Sequence, residues 1–375
     1  MRLLYINDAI AIYGGLERVL VEKINWLVEQ DNYEVYLLTA NQGVHPLSFP
    51  LHSKVKYEDL GIFFYQQYQQ TGWKRLLKKR QLHRLFRERL ADKIRTMSPD
   101  VIVCTRLEFL HDIIKVKGSI PLIFESHSSR WFSRFAGDGL IRRLYVWYLQ
   151  LAVLKIQRVV ALTYGDANEW RKLTTRVSVI PNIVHLNDSG MYSNCKSRSI
   201  IFVGRFSKQK DIGSLLHIWE IIHQRYPDWN LYIYSGYGDQ QNAMLHTIQK
   251  MDANIIVPTP TADMMERYRE CSVLLLTSIY EPFGLVLPEA MSCGLPVVAF
   301  DCPYGPKDII TDGLDGFLIE HRSIVDFVDK VCLLIEDEEK RVKMGQAGVK
   351  TSRRYDVHAI MPLWTDLFEQ LAQSK

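Results

Sequence analysis

The chain has 375 residues, 47% of them hydrophobic and 23% charged, enough for two domains with a core each. Lys plus Arg number 46 against 42 Asp plus Glu, and a net charge of +4 is too small to make nucleic acid the expected partner. The six cysteines lie far apart, with no Cys-x-x-Cys pair and no His at zinc-finger spacing, and read as reduced packing thiols of a cytosolic protein.

The opening "MRLLYIND" is a short strand pattern, too short for a signal h-region, so the chain is expected to begin with structure. Short β-branched runs then alternate with helical patterns: "LERVLVEKINWLVEQ", "EVYLLTA", "DVIVCT", "PLIFESH" and "RVVALT". This predicts β-α-β units and a parallel sheet. The apolar run "LYVWYLQLAVL" at 144–154 falls short of the roughly 20 residues that span a bilayer, so no transmembrane helix is expected. A polar stretch around 182–198 reads as a linker, after which the same grammar restarts with "SIIFVG", "NLYIYSG", "VLLLTS" and "PVVAFD". The predicted α/β organisation is therefore two doubly wound, Rossmann-like domains, 1–182 and 183–356, facing across a cleft. Residues 357–375 carry apolar side chains at helical spacing and are expected to form a closing helix docked on the first domain.

Such folds bind anions where strand C-termini meet helix N-termini. "VGRFSKQKD" follows the first strand of the second half and sets Arg205 and Lys210 within reach of one phosphate; solvated loop cations are the alternative. "SGYGD" follows another strand, and Gly236 and Gly238 would let a backbone approach a ligand, although a Gly-rich turn there is ordinary. Most specific is "YEPFGLVLPEAMSCGLP". Pro288 is tolerated only in a first helical turn, which fixes the helix start near Gly284 or Leu285. Glu281 then precedes the helix and Glu289 sits one turn inside it; both stabilise a helix dipole, or each holds a different hydroxyl-bearing group of one ligand. Gly14 and Gly15 follow the first strand and precede a helix, where amides meet an anion. His127 ends a strand of the first half and reads either as a site residue or as a hydrogen-bonded strand-end histidine.

The Glu-x7-Glu element "EPFGLVLPE", with "GGLERV" at 14–19, "VGRFSKQKD" at 203–211 and "ITDGLDGFLI" at 310–319, resembles the retaining glycosyltransferases of family 4, which have the GT-B fold. The resemblance covers nearly the whole chain, with the motifs in the family's order. It implies that Glu281 holds donor-sugar hydroxyls and Glu289 the nucleotide ribose, that Arg205 and Lys210 clamp the diphosphate, and that amides after Phe283, at Gly284, Leu285 and Val286, support the leaving phosphate. By the same resemblance His127 lies beside the reacting sugar. "FDCPYGPKDIITDG" departs from the family's more usual acidic turn and is similar to a subset that builds bacterial surface polysaccharides with hexose or N-acetylhexosamine donors.

Asp-x-Asp, the metal-diphosphate signature of the other large glycosyltransferase fold, does not occur, so no metal or other cofactor is expected, and cations and dipoles are to neutralise the leaving diphosphate. The implied chemistry is a retaining, front-face transfer, the donor a UDP-linked sugar, and the acceptor a lipid-linked glycan. The segment 71–95 concentrates basic residues with Leu76, Leu77, Leu82, Leu85, Phe86 and Leu90 at helical spacing. Such a helix lies on an anionic membrane surface, or packs its Leu stripe and solvates its charges. A cytoplasmic protein, peripheral at the inner face of the cell membrane, follows on the first reading. The competing functions are a nucleotide-sugar epimerase of the same fold and a non-catalytic nucleotide-sugar-binding subunit. A dinucleotide dehydrogenase is poorly supported, since neither half has Gly-x-Gly-x-x-Gly after its first strand.

Overall fold

A computed structural model describes residues 1–130, 139–236, 238–261 and 263–373. They form two compact units, Met1–Ile183 with Ile360–Lys375, and Val184–Ala359. The first contains β1 (Arg2–Asn7), α1 (Gly15–Glu29), β2 (Glu34–Thr39), β3 (Lys56–Asp59), α2 (Gly72–Met97), β4 (Val101–Cys104), α3 (Leu110–Val116), β5 (Leu122–Ser126), α4 (Leu140–Gln150), β6 (Arg158–Ala161), α5 (Tyr164–Arg171) and β7 (Val177–Val179). Its strands are all parallel, in the order β3-β2-β1-β4-β5-β6-β7. The central strands are buried on both faces, which is why β4 and β5 read as continuous runs and not as alternations. Phe86 and Leu90 of α2 and Trp170 of α5 close one core over Leu4, Ile102 and Phe124.

The second unit contains β8 (Ser199–Val203), α6 (Ile212–Arg225), β9 (Asn230–Tyr234), α7 (Gln241–Gln249), β10 (Ile255–Ile256), α8 (Met264–Arg269), β11 (Val273–Leu276), α9 (Val286–Ser292), β12 (Val297–Phe300), α10 (Gly305–Ile309), β13 (Gly316–Ile319), α11 (Ile324–Glu336) and α12 (Glu338–Ser352). Its parallel sheet runs β10-β9-β8-β11-β12-β13 around a core of Phe202, Trp219, Ile233, Leu275 and Phe300. In both units the chain reverses its winding beside the first strand, between β1 and β4 and between β8 and β11. Loops leaving those strands' C-termini diverge there and open the crevice in which such sheets bind ligands.

The stretch around 182–198 is no free linker. The Asn187 amide donates to Ser292 Oγ at 3.0 Å, the Ser193 amide to the Cys293 carbonyl at 2.8 Å, and the Arg341 guanidinium to the Cys195 carbonyl at 2.9 and 3.0 Å. Polar side chains add to these backbone anchors, Ser193 Oγ donating to the Cys271 carbonyl at 2.5 Å and Ser197 Oγ to the Glu270 carbonyl at 2.7 Å, so composition alone misreads the stretch. The last helix, α13 (Val357–Gln373), buries Trp364, Phe368 and Leu371, and Phe368 meets Tyr33 edge-on with ring centroids 6.5 Å apart.

Candidate functional site

In the second unit, the loops after the neighbouring strands β8 and β11 are stitched together. The Ile279 amide donates to the Gln209 carbonyl at 2.8 Å, and Thr277 Oγ1 donates to the Lys210 carbonyl at 3.0 Å. This pairing brings Lys210 Nζ to 2.5 Å from Glu281 Oε1, which also accepts from Ser278 Oγ at 2.6 Å. Glu281 is only 4% exposed, and its paired, hydrogen-bonded carboxylate meets the usual condition for burying a charge. Lys210 is thus committed to a carboxylate, with two further N–H donors to offer. Arg205 differs: it is exposed, and among the described residues no carboxylate pairs with it. Its field reaches Tyr280, whose hydroxyl burial and nearby Glu281 push up to about 12 against the pull of that guanidinium.

Beyond Glu281 the chain turns through Gly284, at φ +95°, and enters α9 at Val286, a residue or two later than the start read from Pro288. The amides of Gly284, Leu285 and Val286 stand at this helix start, where intrahelical acceptors are lacking. Glu289, 5% exposed in the first turn, accepts from the Tyr268 hydroxyl at 3.1 Å. The Phe283 ring is buried and packs edge-on against Tyr355 at 5.3 Å between centroids. The Glu281 loop leans on the loop after β12: the Glu281 amide donates to the Pro303 carbonyl at 2.8 Å, and the amides of Tyr304 and Gly305 return to the Glu281 carbonyl at 2.8 and 3.0 Å. A Cβ on Gly305 would fall 1.7 Å from the Phe283 carbonyl oxygen, so this close approach requires glycine. In "SGYGD" the two glycines part company. A Cβ on Gly238 would strike the Phe206 carbonyl at 2.2 Å, so its smallness serves packing, whereas Gly236 faces open space and leaves room for a ligand.

In the first unit Gly14 caps α1 in extended conformation and Gly15 begins it. His127 follows β5, and its ring is 5% exposed. Its Nε2 lies 3.1 Å from Glu125 Oε1, at ion-pair distance but at a poor angle for a hydrogen bond. Glu125 Oε2 takes a 2.5 Å hydrogen bond from Lys23 Nζ, which lies 3.9 Å from the Trp364 ring centroid. Burial would raise Glu125, but Lys23 and His127 bring it down to about 2. Burial also pulls the Lys23 ammonium below its ordinary value, against the opposing effect of Glu125. Sequence reading passed over Lys23, Glu125, Ser278 and Tyr268. A signal existed for the first two: Lys23 stands among Val19, Leu20, Ile24 and Leu27 on the buried face of α1, and Glu125 interrupts the apolar run of β5.

Two doubly wound parallel units, each with its switch-point loops carrying polar groups, have the architecture of GT-B glycosyltransferases. A model of the family "Glycosyl transferases group 1" matches residues 192–351, and one of "Glycosyltransferase Family 4" matches 13–188. The amylovoran biosynthesis glycosyltransferase AmsD of Erwinia amylovora is 29% identical over 98% of this chain and 99% of its own. A sucrose-phosphate synthase from Thermosynechococcus elongatus superposes with a TM-score of 0.82 over both whole chains at 15% identity. A point mutant of S. aureus TarM, crystallised with fondaparinux, alpha-GlcNAc-glycerol and UDP, gives 0.77 at 14% identity, covering 98% of this chain and 99% of its own. The chain belongs to the family 4 glycosyltransferases of the GT-B fold and resembles those that build bacterial surface polysaccharides.

Proposed function

We propose that the protein transfers a hexose or N-acetylhexosamine from a UDP-linked donor to a hydroxyl of a lipid-linked glycan, with retention of anomeric configuration, in the assembly of a surface polysaccharide. The observation that carries this reading is the junction of the β8 and β11 loops, where a cation, a buried carboxylate and a helix start meet. The name of AmsD supports polysaccharide assembly, and the UDP bound to TarM supports the nucleotide. Glu281 receives donor-sugar hydroxyls, Glu289 the ribose, and Arg205 with Lys210 the diphosphate, whose leaving charge the amides of Gly284 to Val286 also meet. By the family resemblance, His127 serves the sugar and the Gly14 and Gly15 amides serve the diphosphate. The bond from the anomeric carbon to the phosphate oxygen breaks, the bond to the acceptor oxygen forms on the same face, and the acceptor's proton passes to the departing phosphate. The reaction needs no metal on this reading. The basic helix α2 meets an anionic membrane at the cytoplasmic face, where a lipid-linked acceptor is presented.

A thermal-shift screen of nucleotide sugars identifies the donor, and transfer to a lipid-linked glycan is then followed by proton NMR of the new linkage. An α-linked donor should give an α-linked product, in excess EDTA as without it. A β-linked product would sink retention. Activity lost to EDTA and restored by Mg²⁺ or Mn²⁺ would sink the metal-free reading, and epimerised donor without glycan product would sink transfer.

A further inference from the structure

The Leu stripe expected along α2 divides in the structure. Leu82, Phe86 and Leu90 are buried, while Trp73, Leu76 and Leu77 in the first turns stand half or more exposed. Beside them lies α4, held by Lys79, whose Nζ donates to Tyr145 Oη at 2.9 Å and sits 4.3 Å from that ring's centroid. Helix α4 turns its apolar side outward: Ile141 is 86% exposed, and Leu140, Leu144 and Trp147 are all more than half exposed. Positions 140, 141, 144 and 147 share one helical face. Along α4 and the first turns of α2 the charges have one sign. The first turns of α2 carry Lys74, Arg75, Lys78, Lys79 and Arg80 without an acidic residue, and α4 adds Arg142 and Arg143, also without one, whereas farther along α2 Arg84 and Arg87 are paired with Glu88 and Asp112.

We propose that α4 and the first turns of α2 form one bilayer-docking surface, in which Leu140, Ile141, Leu144 and Trp147 enter the headgroup and acyl boundary while the surrounding cations hold anionic headgroups. The proposal rests on the membrane reading of α2 and adds to it a second helix and an apolar anchor. Charge complementarity selects the occupant. A second copy would set one cationic rim against another, whereas an anionic bilayer meets both the apolar face and the rim. Trp and Tyr between an apolar face and cations are the composition of a membrane interface. With 11 residues, α4 is about 16 Å long, too short to span about 30 Å of hydrocarbon, so it lies in the plane of the interface.

Co-sedimentation of the full chain with phosphatidylcholine vesicles, with and without phosphatidylglycerol, tests this. Raising salt from about 0.1 to 1 M cuts the Debye length from about 10 to 3 Å and removes the charge contribution selectively. The protein should bind anionic vesicles, retain part of that binding at the higher salt, and lose the retained part in Ile141→Asp and, separately, Leu144→Ser. These exposed sites should leave thermal unfolding unchanged, and low-salt affinity should fall tenfold or more in Ile141→Asp. Quenching of tryptophan emission by brominated lipid should shrink in Trp147→Phe. Binding that salt abolishes completely, with Ile141→Asp indistinguishable from the parent, overturns the anchor while leaving the charge-only reading of α2 intact. Absence of binding to anionic vesicles at low salt overturns both. A concentration-dependent dimer that Ile141→Asp dissolves, without vesicle binding, assigns the face to a second copy and overturns the proposal.

Discussion

Lys210 shares a short contact with Glu281, whereas Arg205 is exposed, which distinguishes two cations that the sequence reading treats alike. If Arg205 addresses only the diphosphate, Arg205→Ala should weaken UDP and donor equally and leave uridine binding unchanged. Lys210→Ala should do more, because Glu281, 4% exposed, loses the cation that compensates it. Turnover should then fall together with UDP affinity, and calorimetric titration with UDP beside transfer kinetics distinguishes the two patterns. Glu281→Gln still accepts from Ser278 and Lys210 yet loses its charge. UDP affinity should hold while turnover falls about ten- to a hundredfold, the equivalent of roughly 1.5 to 3 kcal/mol for a charged hydrogen bond. Unchanged kinetics in a folded variant would remove Glu281 from the sugar's surroundings. In the first unit, Glu125 titrates at about 2 in the fold against about 4.3 unfolded. A depressed carboxylate contributes stability that is complete above the unfolded value and is lost as pH falls towards the folded one. The first unit should therefore lose stability through this group as pH falls from about 5 through the folded value, the loss being complete only below it. Lys23→Met leaves a buried charge uncompensated and should destabilise by about 3–5 kcal/mol at neutral pH. Adding Glu125→Gln should recover much of that and flatten the acid limb in thermal unfolding followed against pH.

At the scale of elements, the loops after β11 and β12 touch backbone to backbone at Gly305. Gly305→Ala should force them apart, and overpacking of this kind costs about 1–3 kcal/mol. The second unit should melt lower, and donor turnover should fall with it, because Glu281 shares the displaced hydrogen bonds; an unchanged melt would mean that the two loops separate freely. What could be read beforehand follows the range of the forces involved. Strands such as "VLLLTS" and "PVVAFD" declare themselves, since burial on both faces demands an apolar run. The start of α9 was legible to within two residues because Pro288 is a local constraint. Lys210 and Glu281 lie 71 positions apart, Lys23 and Glu125 102 apart, and only the sheet order brings each pair together. Residues 185–198 looked like a linker because anchoring polar groups and solvated ones have the same composition. The outward face of α4 escaped notice for a different reason: measured against a bilayer's thickness the segment is too short, and its orientation on the fold is not a sequence property.

At the scale of the whole molecule, the first unit is assembled from both ends of the chain. Ile360, Met361, Trp364, Leu367, Phe368 and Leu371 are all buried. At about 1.5–3 kcal/mol for each such side chain, their removal exceeds or matches the roughly 5–15 kcal/mol that holds an ordinary domain together. A chain ended after Ala359 should therefore lose the first unit's calorimetric transition and keep the second's. UDP at a hundred times its dissociation constant should still raise the surviving transition, by about 2.7 kcal/mol or roughly 5–11 °C. Loss of both transitions would show that neither unit stands without the other. The same closure by α13 sets an order of events during synthesis. The strands of the first unit leave the ribosome early, but Trp364 emerges only after the whole of 184–359. At about 5–20 residues per second that interval is roughly 10 to 35 s. Through it the nascent first unit holds Lys23 without its covering ring, so the half that is translated first is the half that matures last.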